Sequence, residues 1–539
     1  MLPEQDIETP VSLSMNPYSG PWTKAEAAHL LKRTLFGPTN QQMIDAVSNG
    51  MNATVSALLQ TPVIDQPLAY DPAETIVPMG STWVTAVYPA NAAQAQLVEN
   101  ARIKSLGAWM LKRLNTEPGT ISEKMCLFWH NHFGATAGSD SRGTYNYFMT
   151  IRQHSLGNVK QLVKDITIDP NMLLFLNGAT NNVFSPNENY ARELLELFTI
   201  GKGPQIGPGD YSNYTEDDVA AGAKILTGYY INGLRSSTAP SPIALYNGIL
   251  HDGTTKQLSY HFGNATVANN NANEYSDYID IIFQQNEVAN YICKKLYRYF
   301  VNYDLTADVE TNVIPVMAQT MITNNYDVLP VLDELFKSEH FYDVSLRGSI
   351  IRGPLEMLMG MMNPTESIPN YTLATNSDLY LTIYILAEGM GQAYATPPSV
   401  AGWPVYYQSP AFTKLWINST TIKSRFDYAA AFTILTGIPA GSNFFKVNAL
   451  GFVDGLSNPS DAVQVIDDIC DVFFPKSIDA AQKLVLKGIL TNGLPDFEWT
   501  LQYNDYIGNL GNTAFSDPVK IRIQLVLNRV FKMPEFQTI

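Results

Sequence analysis

Pro186-Asn187-Glu188-Asn189-Tyr190-Ala191-Arg192-Glu193-Leu194-Leu195-Glu196-Leu197-Phe198 carries the pattern that decides the fold class. Tyr190, Leu194, Leu197 and Phe198 recur at the spacing of one helical face. Glu188, Arg192 and Glu196 stand four residues apart, which permits a ladder of ion pairs along that helix. Pro186 near the start and an acidic first turn are signs of a helix opening. Glu193 flanks the apolar stripe and falls at the edge of the core, where a carboxylate needs an Arg, a His or a metal as partner.

The same period recurs outward from this segment. Amphipathic helices are expected at 24–36, 41–49, 92–115, 122–133, 159–167, 187–200 and 216–226. They continue at 274–285, 287–300, 328–336, 353–362, 378–392, 423–435, 462–473, 478–490 and 518–531. Thr215-Glu216-Asp217-Asp218 fits a capping box with Thr215 as N-cap. One stretch departs from the rule: 243–262 alternates apolar and polar residues around His251-Asp252-Gly253 and reads as a β-hairpin with an exposed Asp-Gly turn. The Asn/Ala-rich run 264–273 reads as a loop. The fold class is therefore mainly α: a large multi-helix, orthogonal or bundle-like domain over 1–440, with a hairpin and loop insertion at about 229–273. The Gly/Pro-rich break at 436–443 separates it from a C-terminal helical segment, 441–539, packed on it.

Composition narrows the function by exclusion. The 34 Lys and Arg against 50 Asp and Glu leave a net charge of −16, and there is no basic stripe, so nucleic acid is not a partner. At 45% hydrophobic residues the chain builds a core without disulfides or metals. Cys126, Cys293 and Cys470 are odd in number, form no CxxC and sit among apolar residues, as buried free thiols do. No apolar run approaches the roughly 18 residues of a membrane span. The first residues lack a basic and an apolar region, so no leader peptide is expected in this chain. GxSxG, HExxH, GxxxxGK[ST] and GxGxxG are all absent, which removes the common hydrolase, zincin, P-loop and dinucleotide readings.

What polar chemistry remains is concentrated. His130 and His132 lie in Phe128-Trp129-His130-Asn131-His132-Phe133. On a strand such a pair shares a face and one ion; on a helix the two point about 200° apart. A helix ending near Trp129 lets them share a metal, whereas one running through His132 does not. Glu188, Arg192 and Glu193 form the second cluster, either a structural ion-pair network or a ligand and general base beside the histidines. His251 and Asp252 are the third polar spot. In addition, 397–404 and 416–420 bring Trp403 and Trp416 into loops that either line a ligand cleft or plug the core.

Taken together these segments resemble one bacterial family, the "domain of unknown function 1800" proteins. The resemblance rests on His29-Leu30-Leu31-Lys32-Arg33 with Phe36-Gly37, on the Trp129–Phe133 motif, and on 186–199. It continues through Tyr214-Thr215-Glu216, Leu226-Thr227-Gly228, His251-Asp252 with Lys256, Pro397-Pro398, Gly402-Trp403 and Pro534-Glu535-Phe536-Gln537. Tyr229 stands where the family usually has Trp, and the Asn-rich run before Glu274 looks like an insertion. The resemblance implies no settled activity. It does imply export to the periplasm, cell surface or medium, with the leader trimmed from this chain. It also implies a task shared with partner proteins resembling the alkaline phosphatase/sulfatase superfamily.

Two functions follow. In the first, His130 and His132 bind a divalent transition metal (Zn, Fe or Mn), and Glu188, Arg192, Glu193, His251 and Asp252 complete the catalytic site of an enzyme acting on an extracellular substrate. In the second, the polar motifs knit helices together, and the Tyr- and Trp-bearing loops of a non-catalytic cell-surface protein bind glycan or a partner protein.

Overall fold

The computed structural model describes residues 11–116, 119–367 and 372–539. Lys24–Thr34 (α1) opens with a capping box, in which the Glu26 carboxylate accepts the Thr23 N–H at 3.0 Å. The long helix Ala92–Thr116 (α2) is followed by Ser122–Phe133 (α3), which ends at Gly134 in the left-handed region. Asn189–Glu193 (α4) begins two residues after the expected start. It then widens from i→i+4 to i→i+5 hydrogen bonding and continues as a π-helix, Leu194–Thr199.

The expected capping box is present at Glu216–Ile225 (α5): Asp218 accepts the Thr215 N–H at 2.8 Å and donates its own N–H to the Thr215 hydroxyl at 3.2 Å. Glu274–Ile282 (α6) and Asn286–Phe300 (α7) follow. Pro354–Met362 (α8) and Leu373–Gly389 (α9) come next, and α9 packs along α2. Ala462–Phe473 (α10) leads the C-terminal helices Ala480–Thr491, Asp496–Gly508 and Thr513–Val530. The protein is mainly α, with small two-stranded sheets. Among the described residues no helix is long and apolar enough to cross a membrane.

The hairpin expected over 243–262 is built differently. Tyr229–Asn232 (β1) pairs antiparallel with Ile243–Tyr246 (β2), and Lys256–Gln257 (β3) pairs forward with Thr266–Val267 (β4). The two halves of the alternating stretch therefore belong to different ribbons, and His251-Asp252 is not an exposed turn. His251 and Asp252 are buried, because the connection between the ribbons folds inward onto Thr227 and Glu274. Part of the Asn-rich run is strand β4, and a 3-10 turn, Asn271–Asn273, leads into α6.

One contiguous hydrophobic core runs from Ala27 to Phe536. The three cysteines are free and buried within it. Buried cations join its ends. Lys32 donates to the carbonyls of Asp471, at 2.6 Å, and of Phe474. Arg33 reaches the Leu346 carbonyl at 2.7 Å, and Arg352 reaches Phe473 at 3.0 Å and Thr538 at 3.2 Å. Lys32 and Arg352 thereby satisfy carbonyls at the end of α10 that the helix leaves unpaired. Burial pushes the Lys32 ammonium down to about 7. Within the polar motif at 29–33, Lys32 ties α1 to the C-terminal helices, while His29 and Arg33 tie it to the Phe341 and Leu346 carbonyls.

Candidate functional site

Helix α3 runs unbroken through Phe133, so His130 and His132 leave it on different sides. His130 is fully buried among the rings of Phe148, Tyr147, Trp403 and Tyr394, with centroids 4.7 to 6.1 Å away. Among the described residues no protein group meets hydrogen-bond geometry at either of its ring nitrogens. Burial holds its pKa down at about 3, and the nearby Tyr394 backbone offsets this only in part.

His132 faces the π-helix. Its Nε2 lies 3.0 Å from the Phe198 carbonyl and its Nδ1 lies 3.2 Å from Lys295 Nζ. An ammonium can only donate, so Nδ1 accepts and Nε2 carries the proton that goes to Phe198. Both nitrogens of the neutral ring are thereby occupied. Burial, and then the Lys295 charge, keep its pKa well below the ordinary value. Lys295 also donates to the Leu197 carbonyl at 2.9 Å. The wide turn of the π-helix presents these two carbonyls, a local irregularity of the kind that gathers at functional sites.

Beside this node is a cavity of about 110 Å³, lined by His132, Tyr291, Lys295, Arg298, Tyr299 and Tyr406 among others. Tyr291, Lys295, Arg298 and Tyr299 share one face of α7, at spacings of four, three and one. Ala401, Tyr406 and Tyr407 come from the Pro/Gly-rich loop. That loop is locked onto the end of α3: Asn131 Oδ1 accepts the Trp403 N–H at 2.9 Å. Gly402, at φ +82°, leaves no room for a Cβ, which would stand 2.3 Å from Asn131 Oδ1. A Cβ on Gly134, at φ +58°, would meet the Val400 carbonyl at 2.2 Å. The close approach of the two motifs requires glycine on both sides.

The cavity wall is cationic. Burial, reinforced by Arg298, pushes the Lys295 ammonium down to about 7, although the cavity keeps part of the side chain within reach of solvent. Burial also lowers Arg298, against the more distant charges of Glu310 and Asp304. The Arg298 guanidinium lies over the Phe412 ring, 4.9 Å from its centroid.

The other expected site residues lie elsewhere. Arg192 bridges Glu188 at 3.0 Å and Glu216 at 2.8 Å on the surface. The expected ladder stops there, because the π-turn rotates Glu196 away to Tyr214 at 3.0 Å and Lys202 at 3.3 Å. Glu193 is half-buried with no ion pair among the described residues, and burial, then the Glu196 charge, raises its pKa.

His251 and Asp252 belong to a third, closed cluster. His251 Nε2 is 2.9 Å from Glu274, and Nδ1 is 3.0 Å from the Thr227 carbonyl. Lys256 donates to the same Glu274 at 2.5 Å and to the Asp252 carbonyl. Burial would raise the Asp252 carboxyl, but hydrogen bonds from Thr254 hold it below the usual value. Among the described residues no three His, Cys, Asp or Glu side chains gather as a metal-holding group.

Lys295 and Arg298 were not among the residues singled out by sequence. The available signal was two cations and two tyrosines on one helical face of an acidic chain. No curated protein and no solved structure matches the chain. The chain belongs to the family described as "Protein of unknown function (DUF1800)", which it matches over residues 29–538.

Proposed function

We propose that this chain is an exported, non-catalytic cell-surface binding protein whose aromatic-walled cavity takes part of a glycan. The observation that carries the reading is the division of labour among its polar residues. Glu188 and Arg192 pair on the surface, His130 packs in an aromatic cage, and His251 and Asp252 sit in a closed cluster. Tyr291, Tyr299, Tyr406 and Tyr407, by contrast, line a space. Rings with hydroxyl edges suit sugars, which offer apolar C–H faces and polar rims. At about 110 Å³ the cavity is smaller than the roughly 300–1,000 Å³ of pockets that enclose a drug-sized ligand, so it accepts the tip of a larger molecule. Export rests on the family resemblance.

The test is titration of the full chain with a saccharide panel, followed by tyrosine and tryptophan fluorescence. Saturable binding that Tyr406→Ala and Tyr407→Ala weaken at least tenfold is expected, with culture fractionation placing the native protein outside the cytoplasm. Near-stoichiometric Zn, Fe or Mn in the untagged protein, lost on His130→Ala or His132→Ala, would overturn the reading in favour of the metalloenzyme.

A further inference from the structure

We infer that the cavity beside α7 is an anion site, and that the ligand end seated in it carries a carboxylate, sulfate or phosphate held by Lys295 and Arg298. The glycan reading supplies the larger molecule to which that group belongs; the anion site itself stands on the cavity's own residues.

Two cations, three residues apart on one helical face, line the same small space. Like charges at this spacing repel, and among the described residues no carboxylate pairs directly with either of them. Neither Lys295 nor Arg298 has a carboxylate within ion-pairing distance among the described residues, although the chain carries 50 Asp and Glu against 34 Lys and Arg. Glu310, the carboxylate that acts most on Arg298 from a distance, pairs instead with Lys294 at 3.5 Å.

Their donors are also incompletely used. Lys295 spends two of its three N–H groups, on His132 and the Leu197 carbonyl. Among the described residues Arg298 makes no hydrogen bond to the protein, and its Nε is buried without a partner. A buried guanidinium donor left unsatisfied is costly, and Arg33, Arg152, Arg347 and Arg425, which also bury an unpaired donor, each keep at least one other hydrogen bond, to Leu346, Glu123, Glu26 and Arg352 respectively.

The surroundings favour a planar or tetrahedral oxyanion over a second cation or an apolar group. Arg298 rests on the Phe412 ring and Lys295 lies 4.6 Å from the Tyr291 centroid, so both heads are positioned by aromatic faces. A guanidinium offers a fork of N–H donors that matches two oxygens of one carboxylate, sulfate or phosphate, and an adjacent ammonium supplies a further point charge. The neutral Nε2–H tautomer of His132 backs Lys295 without adding a competing anion. The tyrosines supply the walls against which the rest of a ring would lie.

The experiment titrates wild-type protein, Arg298→Met and Lys295→Met by calorimetry with glucuronate, glucose 6-sulfate, glucose 6-phosphate and glucose. Sodium acetate, sulfate and inorganic phosphate serve as the free anions. Among the described residues Arg298 makes no protein hydrogen bond, so Arg298→Met is expected to keep the fold; circular dichroism and the urea midpoint check this for both variants. At least one charged sugar should bind tenfold or more tightly than glucose, with affinity falling as salt rises and dropping at least tenfold in Arg298→Met.

If only the free anions bind, and do so through Arg298, the anion site stands and the glycan reading fails. Glucose binding as tightly as the charged sugars, unchanged in Arg298→Met, would overturn the anion site and leave the glycan reading intact. Silence from every sugar and every anion would overturn both.

Discussion

The His251–Glu274–Lys256 cluster and the His132–Lys295–Arg298 cluster are built from similar parts and end in opposite states. Each joins a histidine to a lysine beneath an irregular stretch of chain. In the first, the fully buried Glu274 carboxylate receives both His251 Nε2 and Lys256 Nζ, at 2.9 and 2.5 Å, while His251 Nδ1 lies against the Thr227 carbonyl and Lys256 also donates to the Asp252 carbonyl. In the second no carboxylate arrives: the carbonyls of Leu197 and Phe198 take two bonds, and Arg298 is left over beside a cavity. A buried polar cluster whose charges close on themselves is a clasp, while one whose charges stay open faces a ligand.

The largest effect should come from breaking the closed cluster. Glu274→Ala leaves His251 and Lys256 without their shared carboxylate, and the expected loss is about 3–5 kcal/mol in urea unfolding. A loss under about 1 kcal/mol would erase the contrast between the two clusters.

Next comes His130, whose pKa is pulled from its ordinary value to about 3 by burial. The unfolded chain binds a proton at this ring near pH 6.5 and the folded protein does not until about pH 3, so stability falls as pH drops through that window. At about 1.4 kcal/mol per pKa unit, acidification from pH 6.5 to 4 costs on the order of 3 kcal/mol through this ring alone. His130→Leu should remove that part of the acid slope while changing stability at pH 7 by less than about 1.5 kcal/mol. An unchanged slope would show that the ring is already protonated in the fold.

Opening the comparison from the other side, Arg298→Met should shift the urea midpoint little, within about 0.5 kcal/mol, because Arg298 makes no hydrogen bond among the described residues. A loss above about 2 kcal/mol would make Arg298 a structural residue. The surface responds weakly as well. Arg192→Ala releases Glu188 and Glu216, both substantially exposed, and should cost under about 1 kcal/mol and less still at high salt, read by the same unfolding curves.

Helices were legible in the sequence because their signals are local. The Thr215–Asp218 capping box and the apolar stripe of Tyr190, Leu194 and Phe198 need no distant partner. Strand pairing was less legible: 243–246 alternates as a strand, yet its partner lies at 229–232 and not across the Asp252-Gly253 turn. Two-residue periodicity says which face a residue takes and not which strand lies opposite. The π-turn at Leu194–Thr199 was invisible, since it preserves the apolar pattern while rotating Glu196 out of line with Arg192.

Family membership, mainly helical class and the residue types available for chemistry were determined by the sequence alone. Only the tertiary structure decided which of those residues meet. It sent His130 and His132 to different neighbours because one unbroken helix carries both. It closed His251 and Lys256 on Glu274, and it brought Lys295 and Arg298 to the tyrosine-bearing loop at 401–407. The physical reason is the range of the forces. Helix propensity and capping act within about four residues. Whether a buried charge finds its counter-charge depends on elements far apart in the chain, such as Lys295 and His132, 163 residues apart.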